Sequence, residues 1–558
     1  MPANEEIELA FQRHHDTLSC ANVMKVPHDM RCEFIKTTKD CDNHIGILNY
    51  IKFLQCSQQE STRLNDIISC FGLAVLVFFL VLSVAIVADQ FFSPALKATA
   101  KKMHMSEHLA GVTLLAFGNS TSDILGQLQS TRIDEVFTYM MANAILITLI
   151  SGGIVCYMWP TQLPKYETVR TLLFFMLGAV SVEYMFTTGS KISRVECSLI
   201  IGLYIVYLII EIIEGYIEKR ADRGIVILEA RVQYSHVRRT TLRRSSALMS
   251  SAKDKERLTI NTHTTRMVDF SNENSKNDYL FDGFVETIQP IQEDYWRDCG
   301  TAVRIGLLIL SPLMLFFLLL IPIVDLERRR HGWSKLLNCI QIVVTPMYVT
   351  VVVFYRFAPL IYFQLLITVP VAVVVFLQTR TDMPPPYHFA FVIFSYVGSI
   401  LILYICTNEI NDILDVIGLV LGLSAQYIAA TISCWGSSVC TIVINVILAQ
   451  HGYAAMAIAA SYAGPYFSFI MAMGFLPAYR HILGSYEGMT NGYYMLAYIF
   501  LIISLASSLI WSLLFNFYGR RSVGVYNFTI YLMYFIFCTL CEAEFIHSYA
   551  LDQVIKIV

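Results

Sequence analysis

A polar hexapeptide, GNSTSD, interrupts an otherwise apolar stretch, LLAFGNSTSDILGQL at residues 114–128. Within it Asn119 and Asp123 are four residues apart, so on a helix their oxygen atoms share one face and lie one turn apart. Amide and carboxylate oxygens are the hard ligands that Ca²⁺ and Na⁺ prefer, and the hydroxyl of Ser122 can add another oxygen. A carboxylate at bilayer depth needs a cation or a buried proton, so the stretch predicts a cation site on a membrane helix.

Packing by small residues is the alternative interpretation of this stretch. Small and hydroxyl-bearing side chains let membrane helices approach closely and hydrogen-bond to one another. Asp123 fits that interpretation least well, because an unpaired carboxylate is costly at the middle of a membrane. Asn143, on the next apolar run, either reaches the same site or hydrogen-bonds across helices.

The composition indicates a membrane protein with many spans. Of the 558 residues 56% are hydrophobic and 15% are charged, against roughly 25% charged in a typical soluble domain. The net charge of −3 argues against nucleic acid as a partner, and the lipid bilayer is the expected surrounding. Apolar runs long enough to span a bilayer lie near 67–88, 108–128, 135–159, 168–189, 196–216, 302–324, 336–354, 359–378, 388–407, 428–448, 455–477, 490–514 and 523–548.

The two halves of the chain carry the same kind of polar interruption. The run at 428–448, IAATISCWGSSVCTIVINVIL, is polar at its centre like the run at 108–128. Each is followed by a run with small or polar residues in its middle, at 140–153 and 461–474. Such interruptions at corresponding places indicate a transporter with inverted repeats and an ion site near the midplane. The predicted fold class is an all-α polytopic membrane protein with two inverted five-helix repeats and about 12–13 apolar segments.

A basic loop at 218–301 separates the halves and is predicted to face the cytosol or the mitochondrial matrix. Inversion of the second repeat requires an even number of crossings between this loop and residue 388. Three apolar runs lie there, so one of them is predicted not to cross fully, and the run at 302–324 contains two prolines. Within the loop, paired arginines precede Thr241 and Ser246, which are candidate phosphorylation sites for a basophilic kinase. A basic run that faces anionic lipid fits the same residues.

Four cysteines lie in the polar N-terminal segment 1–65 and are spaced like a two-disulfide module. Three connectivities are possible, and the sequence does not choose among them. Counting crossings back from the loop places this segment on the opposite face of the membrane, which suits disulfides. The segment has neither the apolar core of a cleavable signal nor the Arg-rich, acid-poor composition of a mitochondrial transit peptide. The disulfide candidates are Cys20, Cys32, Cys41 and Cys56.

The stretch GVTLLAFGNSTSDIL resembles the first α-repeat of the cation/calcium exchanger superfamily. The resemblance extends over most of the chain, is closest to the mitochondrial-type sodium/calcium exchangers, and includes the CEFIK…DC spacing, NEINDIL from Asn408 to Leu414, and AQHGYAAMA after the second repeat. It implies antiport in which Na⁺, or Li⁺ in its place, drives Ca²⁺ by alternating access around an oxygen-lined site. It also implies the mitochondrial inner membrane, whereas the missing transit signal favours the plasma membrane or an internal store. No cofactor is expected beyond the transported Ca²⁺ and Na⁺.

The resemblance implies that both repeats supply cation ligands. Ser437 and Ser438 fall where the second repeat shows Asn-Ser, and Thr441 falls where it shows Asp. Two departures follow: Ser122 replaces an expected Pro, and the second repeat offers no negative charge. Losing one carboxylate removes an attraction of about 4 kcal/mol per unit-charge pair at an effective dielectric near 20, which favours Na⁺ or Li⁺ over Ca²⁺. The predicted ligands are Asn119, Ser122, Asp123, Asn143, Ser437, Ser438, Thr441 and Ser468.

Three functions fit these observations. The first is a Na⁺/Ca²⁺ antiporter, the second a non-transporting or altered-selectivity paralogue that acts as a regulatory subunit, and the third a cation/proton exchanger in which Asp123 titrates. An enzyme is not predicted, because the sequence has no phosphate-binding loop and no zinc-spaced His/Cys set.

The predicted division of the chain is an N-terminal segment at 1–65, a first repeat at 66–217, a regulatory loop at 218–301, additional apolar segments at 302–387 and a second repeat at 388–558.

Overall fold

The structure is a computed structural model of the chain. It describes residues 28–545 together with Cys20, Val23 and Val26, except for the gaps named next. The gaps are 39–40, 42–47, 58–62, 128–132, 189–192, 218–219, 221–279, 292–295, 298–299, 326–328, 354–358, 382 and 480–491. The candidate phosphorylation sites Thr241 and Ser246 therefore lie outside the described residues.

Long apolar helices make up the first half of the chain. Two short helices come first, α1 (His28–Thr37) and α2 (Tyr50–Ser57). Three longer helices each contain a π-helical turn: α3 (Arg63–Val87, turn Ala88–Phe92, Ser93–Met103), α4 (Glu107–Ala110, turn Gly111–Leu115, Ala116–Gln127) and α5 (Ile133–Leu146, turn Ile147–Ser151, Gly152–Met158). They are followed by β1 (Thr161–Gln162), α6 (Lys165–Thr188) and α7 (Arg194–Ile217).

The second half again has five long helices and one short strand, and it comes after four further helices. These are α8 (Leu280–Ile288), α9 (Thr301–Leu320), α10 (Lys335–Val353) and α11 (Pro359–Gln378). Then come α12 (Phe389–Val420), α13 (Ala425–Ala430 and Ile432–Gln450, interrupted at Thr431), α14 (Ala454–Tyr479), α15 (Gly492–Leu514), β2 (Tyr518–Gly519) and α16 (Arg521–Glu542). The strands β1 and β2 form one short antiparallel pair between the two halves.

Among the described residues, twelve helices are long and apolar enough to cross a membrane. The chain is therefore a multi-pass membrane protein, and the predicted all-α polytopic class is confirmed. The helix α4 is not among those twelve, because its polar hexapeptide lowers its hydropathy.

The helix α12 continues to Val420, whereas the predicted apolar run ended at 407. That boundary was wrong because Asn408, Glu409 and Asp412 interrupt the hydropathy without interrupting the helix.

The two halves are held together by contacts in which the polar helix of each half packs on a helix of the other half. The polar helix α4 of the first half packs on α14 of the second, and the polar helix α13 packs on α5. The first helices of the halves, α3 and α12, pack on each other. One continuous hydrophobic core joins side chains from both halves. Each polar helix therefore depends on the other half for part of its packing surface.

The additional helices α10 and α11 form a hairpin whose open end meets the start of α12. Trp333, just before α10, donates its indole N–H to the carbonyl of Arg380 after α11 at 3.0 Å. His388, just before α12, lies 3.2 Å from the carbonyl of His331. The two ends of the hairpin thus lie close together, so the chain leaves the hairpin on the same side of the helix bundle on which it entered. That α9 does not cross fully stays a prediction.

A disulfide-bonded unit of α1 and α2 lies against the α3–α12 pair. Cys20 is bonded to Cys41 and Cys32 to Cys56. Its apolar side chains form a small core with Leu73 of α3 and with Ile413 and Val416 of α12. Tyr50 is buried and donates its hydroxyl to the Glu409 carboxylate of α12. Burial, and next the hydrogen bond to Glu409, raises the pKa of Tyr50, so the phenol keeps the proton that it donates.

Candidate functional site

The polar helices α4 and α13 begin in the same way. The Ser106 side chain accepts a hydrogen bond from the Leu109 N–H at 3.3 Å, and Ser424 accepts one from the Tyr427 N–H at 3.2 Å. A Ser at the N-cap satisfies one of the free N–H groups of a helix start. Aligned on these two serines without a gap, the hexapeptide GNSTSD at 118–123 falls on GSSVCT at 436–441.

Both helices are also irregular one turn before the hexapeptide. In α4 the irregularity is the π-helical turn around Thr113, and in α13 it is the break at Thr431, where φ is −130° and ψ is −71°. Each Thr donates its hydroxyl to the carbonyl four residues earlier, at 2.5 Å and 2.6 Å. Such back-bonding by Thr bends helices. In α4 the helix is therefore irregular at Thr113 and not at Ser122, the position where the family resemblance implies a Pro.

A glycine opens each hexapeptide and allows the first helix of the same half to approach. A Cβ atom at Gly118 would lie 2.7 Å from the Phe92 ring of α3. A Cβ atom at Gly436 would lie 2.3 Å from Asn411 Oδ1 of α12. Neither position can hold a side chain without moving its neighbour, so both glycines set the depth at which the hexapeptides lie.

Asp123 lies at the centre of the first half of the site. It is 3% exposed, and its Oδ2 accepts a hydrogen bond from Asn143 Nδ2 of α5 at 3.0 Å. Ser437 and Ser438 of α13 donate their hydroxyls to Asn143 Oδ1, the first at 3.3 Å. Asn143 therefore links the Asp of one hexapeptide to the serines of the other, and four predicted ligands are neighbours.

Asn119 faces a different set of partners, one helical turn before Asp123. It is 2% exposed, and its Nδ2 donates to Asn445 Oδ1 of α13 at 3.4 Å. Nearby Ser120 donates to the Gly464 carbonyl of α14 at 2.8 Å. Like the contact of Ser438 with Asn143, it joins the third residue of a hexapeptide to the following helix of the opposite half.

Two buried oxygens of α4 have no hydrogen-bond partner within the part of the chain that the structure describes. They are Asn119 Oδ1 and Asp123 Oδ1. Buried polar atoms are nearly always paired, so unpaired ones need an explanation. A carboxylate oxygen and an amide oxygen, one helical turn apart, are suited to a hard cation. The described residues hold no group of three or more His, Cys, Asp or Glu that could bind a metal. Among the predicted ligands Asp123 is the one carboxylate, and the others are amides and hydroxyls.

The remaining predicted ligands are buried, and two of them have local partners. Ser122 donates to the Asn119 carbonyl at 3.1 Å, and Ser468 to the Pro465 carbonyl at 3.2 Å. Thr441 is 2% exposed and lies one turn after Ser437. Their hydroxyl oxygens keep lone pairs, but no described contact brings Ser122, Ser468 or Thr441 to Asp123.

Several polar residues beside the site were not among the ligands predicted from the sequence. Ser151 and Ser461 bind Asn445, and Tyr139 hydrogen-bonds Ser437. Ser151 and Ser461 are small polar residues within apolar helices, a common pattern that by itself signals only helix packing. The ungapped match of 106–123 to 424–441 is the sequence signal that would have aligned the two halves residue by residue.

Comparisons with known proteins agree with this architecture. The sequence model of the family described as sodium/calcium exchanger protein matches residues 73–213 and 389–540, which lie within α3–α7 and α12–α16 and make up just over half of the chain. The chain is 24% identical over 475 residues to the mitochondrial sodium/calcium exchanger protein of Homo sapiens, covering 82% of this chain and 78% of that protein. It is 24% identical over 582 residues to the protein of the same name from Gallus gallus, covering 96% and 92%.

A solved structure of the sodium-calcium exchanger NCX_Mj, soaked with Na⁺ and without Ca²⁺, is similar at 12% identity and a TM-score of 0.41. The similarity covers 83% of this chain and 97% of that one. The two segments matched by the family model are the same two halves that the helix packing, the repeated caps and the paired hexapeptides define. This chain belongs to the sodium/calcium exchanger protein family, whose members are membrane transporters and not enzymes.

Proposed function

We propose that the chain is a secondary active antiporter that exchanges Na⁺, or Li⁺ in its place, for Ca²⁺ by alternating access. The observation that carries this proposal is the pair of buried oxygens without partners, Asp123 Oδ1 and Asn119 Oδ1. The transported ion is proposed to bind between α4 and α13, with Asn143, Ser437 and Ser438 around it. Thr441, Ser122 and Ser468 are proposed to join the ligand set only in another state of the cycle.

The charge of the site supports a preference for monovalent ions. Asp123 is the only carboxylate among the proposed ligands, and the second repeat contributes Ser437, Ser438 and Thr441. A divalent ion beside one carboxylate keeps an unbalanced charge, and a second carboxylate would add about 4 kcal/mol of attraction per unit-charge pair at an effective dielectric near 20. We therefore expect Na⁺ and Li⁺ to bind well and Ca²⁺ to bind weakly.

Alternating access is supported by how the halves are assembled. Each polar helix is completed by a helix of the other half, so a movement of one half relative to the other changes the surroundings of both hexapeptides. The pair α3–α12 packs against both hexapeptide glycines, Gly118 and Gly436. Sliding of α3 and α12 across these glycines would open the site to one side or the other.

The compartment is proposed from the relatives, which are named mitochondrial exchangers. We place the chain in the mitochondrial inner membrane, with the basic loop 218–301 in the matrix as a regulatory segment for a kinase. The segment 1–65 then lies on the opposite, more oxidising face, which suits its two disulfides. Residues 66–217 and 388–558 are proposed as the two repeats, and 302–387 as the additional helices between them.

The test is Na⁺-driven ⁴⁵Ca²⁺ uptake by the purified chain in proteoliposomes, compared with Asp123→Asn. We expect uptake in the wild type and a loss of at least a hundredfold in the variant. Asp89→Asn is the matched control, because Asp89 is a carboxylate on α3 whose side chain is 43% exposed and lies outside the site. Equal uptake by wild type and Asp123→Asn would contradict the proposal.

The non-transporting regulatory subunit is the second candidate, and the neutral residues at 437 and 441 favour it. No uptake of Ca²⁺, Na⁺ or Li⁺ by the wild type would favour this candidate. Uptake that follows a proton gradient at fixed Na⁺ would instead indicate a cation/proton exchanger. The same proteoliposomes separate the three, because external Na⁺ and pH can be set independently.

A further inference from the structure

A second polar network lies beside Asn119 and is built around its hydrogen-bond partner Asn445. Its members are Asn445 of α13, Ser151 of α5 and Ser461 of α14, each with 0% of its surface exposed. Asn445 Nδ2 donates to Ser151 Oγ at 2.8 Å and to Ser461 Oγ at 3.2 Å. Ser151 Oγ and Ser461 Oγ are 3.2 Å apart. Three helices from both halves therefore meet at one amide.

Only one arrangement of protons makes every contact of this network a hydrogen bond. Ser461 Oγ donates its single proton to the Ala457 carbonyl at 2.9 Å. Toward Asn445 and Ser151 it can then only accept, so Ser151 supplies the proton of the Ser151–Ser461 hydrogen bond. Asn445 must in turn present its NH₂ group, and not its oxygen, to Ser461. A backbone carbonyl, which cannot donate, thus fixes the orientation of the Asn445 amide.

The orientation of Asn445 determines that of Asn119. With both N–H groups of Asn445 engaged by serines, its Oδ1 faces Asn119 and accepts from Nδ2 at 3.4 Å. Asn119 must then turn its Oδ1 away from Asn445, and this oxygen is the one that lacks a partner. If Asn445 were reversed, two NH₂ groups would face each other, and Asn119 would have to rotate its oxygen out of the site.

We propose that Asn445 is a positioning residue that, held by Ser461 and Ser151, points Asn119 Oδ1 at the transported cation. This inference rests on the proposed function. Asn445 itself does not touch the ion. It raises cation affinity because the correct oxygen of Asn119 is presented before the ion arrives, so no amide has to rotate on binding.

A double-mutant cycle tests the coupling between Asn445 and Asn119. The variants are Asn445→Leu, which keeps the approximate volume but loses the hydrogen bonds, Asn119→Ala, and the two combined. The readout is the Na⁺ concentration that half-saturates the thermal stabilisation of the purified full chain, which does not require transport. We expect Asn445→Leu and Asn119→Ala each to raise it about tenfold. The combined variant should equal Asn119→Ala within twofold, because Asn445 acts only through Asn119.

The inference would be overturned if the half-saturating Na⁺ of the combined variant rose about a hundredfold, because the two effects would then multiply. It would also be overturned if Asn445→Leu left the half-saturating Na⁺ unchanged. Ser461 provides a second route should Asn445→Leu fail to fold. Ser461→Ala removes the acceptor that fixes the amide and should raise the half-saturating Na⁺ about threefold. Ser461→Thr keeps the hydroxyl and should restore affinity to within a factor of 1.5 of the wild type, on the scale of one hydrogen bond. Equal affinities in the Ala and Thr variants would contradict the role of the hydroxyl.

The inference and the proposed function fail in distinguishable ways. If Asp123→Asn leaves both Na⁺ binding and Na⁺-driven uptake unchanged, the proposed function fails. If Asp123→Asn abolishes them while the Asn445 and Asn119 effects multiply, only the positioning role of Asn445 fails. The maximal transport rate at saturating Na⁺ should stay within twofold of the wild type in Asn445→Leu, because affinity and not movement is changed.

Discussion

The polar helices α4 and α13 share a backbone and differ in chemistry. Both begin at a capping serine, both are irregular at a threonine, and both place a glycine under the first helix of their own half. Yet α4 carries Asn119 and Asp123 where α13 carries Ser437 and Thr441. The inverted architecture therefore depends on caps, breaks and close approach, whereas the charge of the site is set separately by two or three side chains.

The largest expected effect comes from making α4 as neutral as α13. Asp123→Thr places on α4 the residue that aligns with Asp123 on α13, and it removes the only carboxylate of the proposed site. We expect cation-driven flux to fall at least a hundredfold, because no charge then offsets the desolvation of the ion. Flux in proteoliposomes measures this, and Asp89→Asn, a change of a carboxylate outside the site, serves as the control. Residual flux above a tenth of the wild type would show that the carboxylate is dispensable.

The reverse exchange makes α13 resemble α4. Ser437→Asn with Thr441→Asp restores an amide and a carboxylate to the second repeat. We expect Na⁺-driven ⁴⁵Ca²⁺ uptake to rise about tenfold, since the added charge attracts a divalent ion and part of the gain is lost to desolvation. Uptake of Li⁺ should rise less. An unchanged or lower ratio of Ca²⁺ to Li⁺ uptake would show that charge does not limit Ca²⁺ handling.

The corresponding serines 120 and 438 should have unequal effects. Ser438 donates to Asn143, which holds Asp123, whereas Ser120 donates to the Gly464 backbone. Ser438→Ala should therefore weaken Na⁺ affinity about fivefold, and Ser120→Ala should change it less than twofold while lowering the stability by about 1 kcal/mol. Titrations of thermal stability against Na⁺ report both quantities. Equal shifts in affinity would contradict the assignment of Asn143 as the link to Asp123.

The smallest effects are expected at the two caps. Ser106→Ala removes one N-cap hydrogen bond and should cost about 1 kcal/mol. Ser424→Ala should cost more, because the Ser424 hydroxyl also donates to the Glu542 carboxylate at 2.6 Å. The melting temperature in detergent should thus fall further for Ser424→Ala, with no change in the half-saturating Na⁺ once stability is accounted for. A larger fall in melting temperature for Ser106→Ala than for Ser424→Ala would contradict the added contribution of the hydrogen bond to Glu542.

Much of the site was predictable, because membrane helices leave few polar residues to choose from. The pairing of Asn119 with Asp123 follows from spacing alone, and both lie buried on one helix. The placement of Ser437 and Ser438 depended on the family resemblance, and the structure brings them to Asn143. The roles of Ser151 and Ser461 were not predictable, because their partner Asn445 is about 300 residues away from one of them and its orientation depends on hydrogen bonds from three helices.

Composition, hydropathy and residue spacing are local properties of the chain, and they are enough to predict the class of the protein, the two polar helices and the single carboxylate. The pairing of the cysteines, the length of α12 beyond its polar residues and the unpartnered oxygens of Asn119 and Asp123 emerge only when the chain is folded. They emerge only then because a buried amide is oriented by all its neighbours at once. Those neighbours come from both halves, and no local pattern in the chain brings them together.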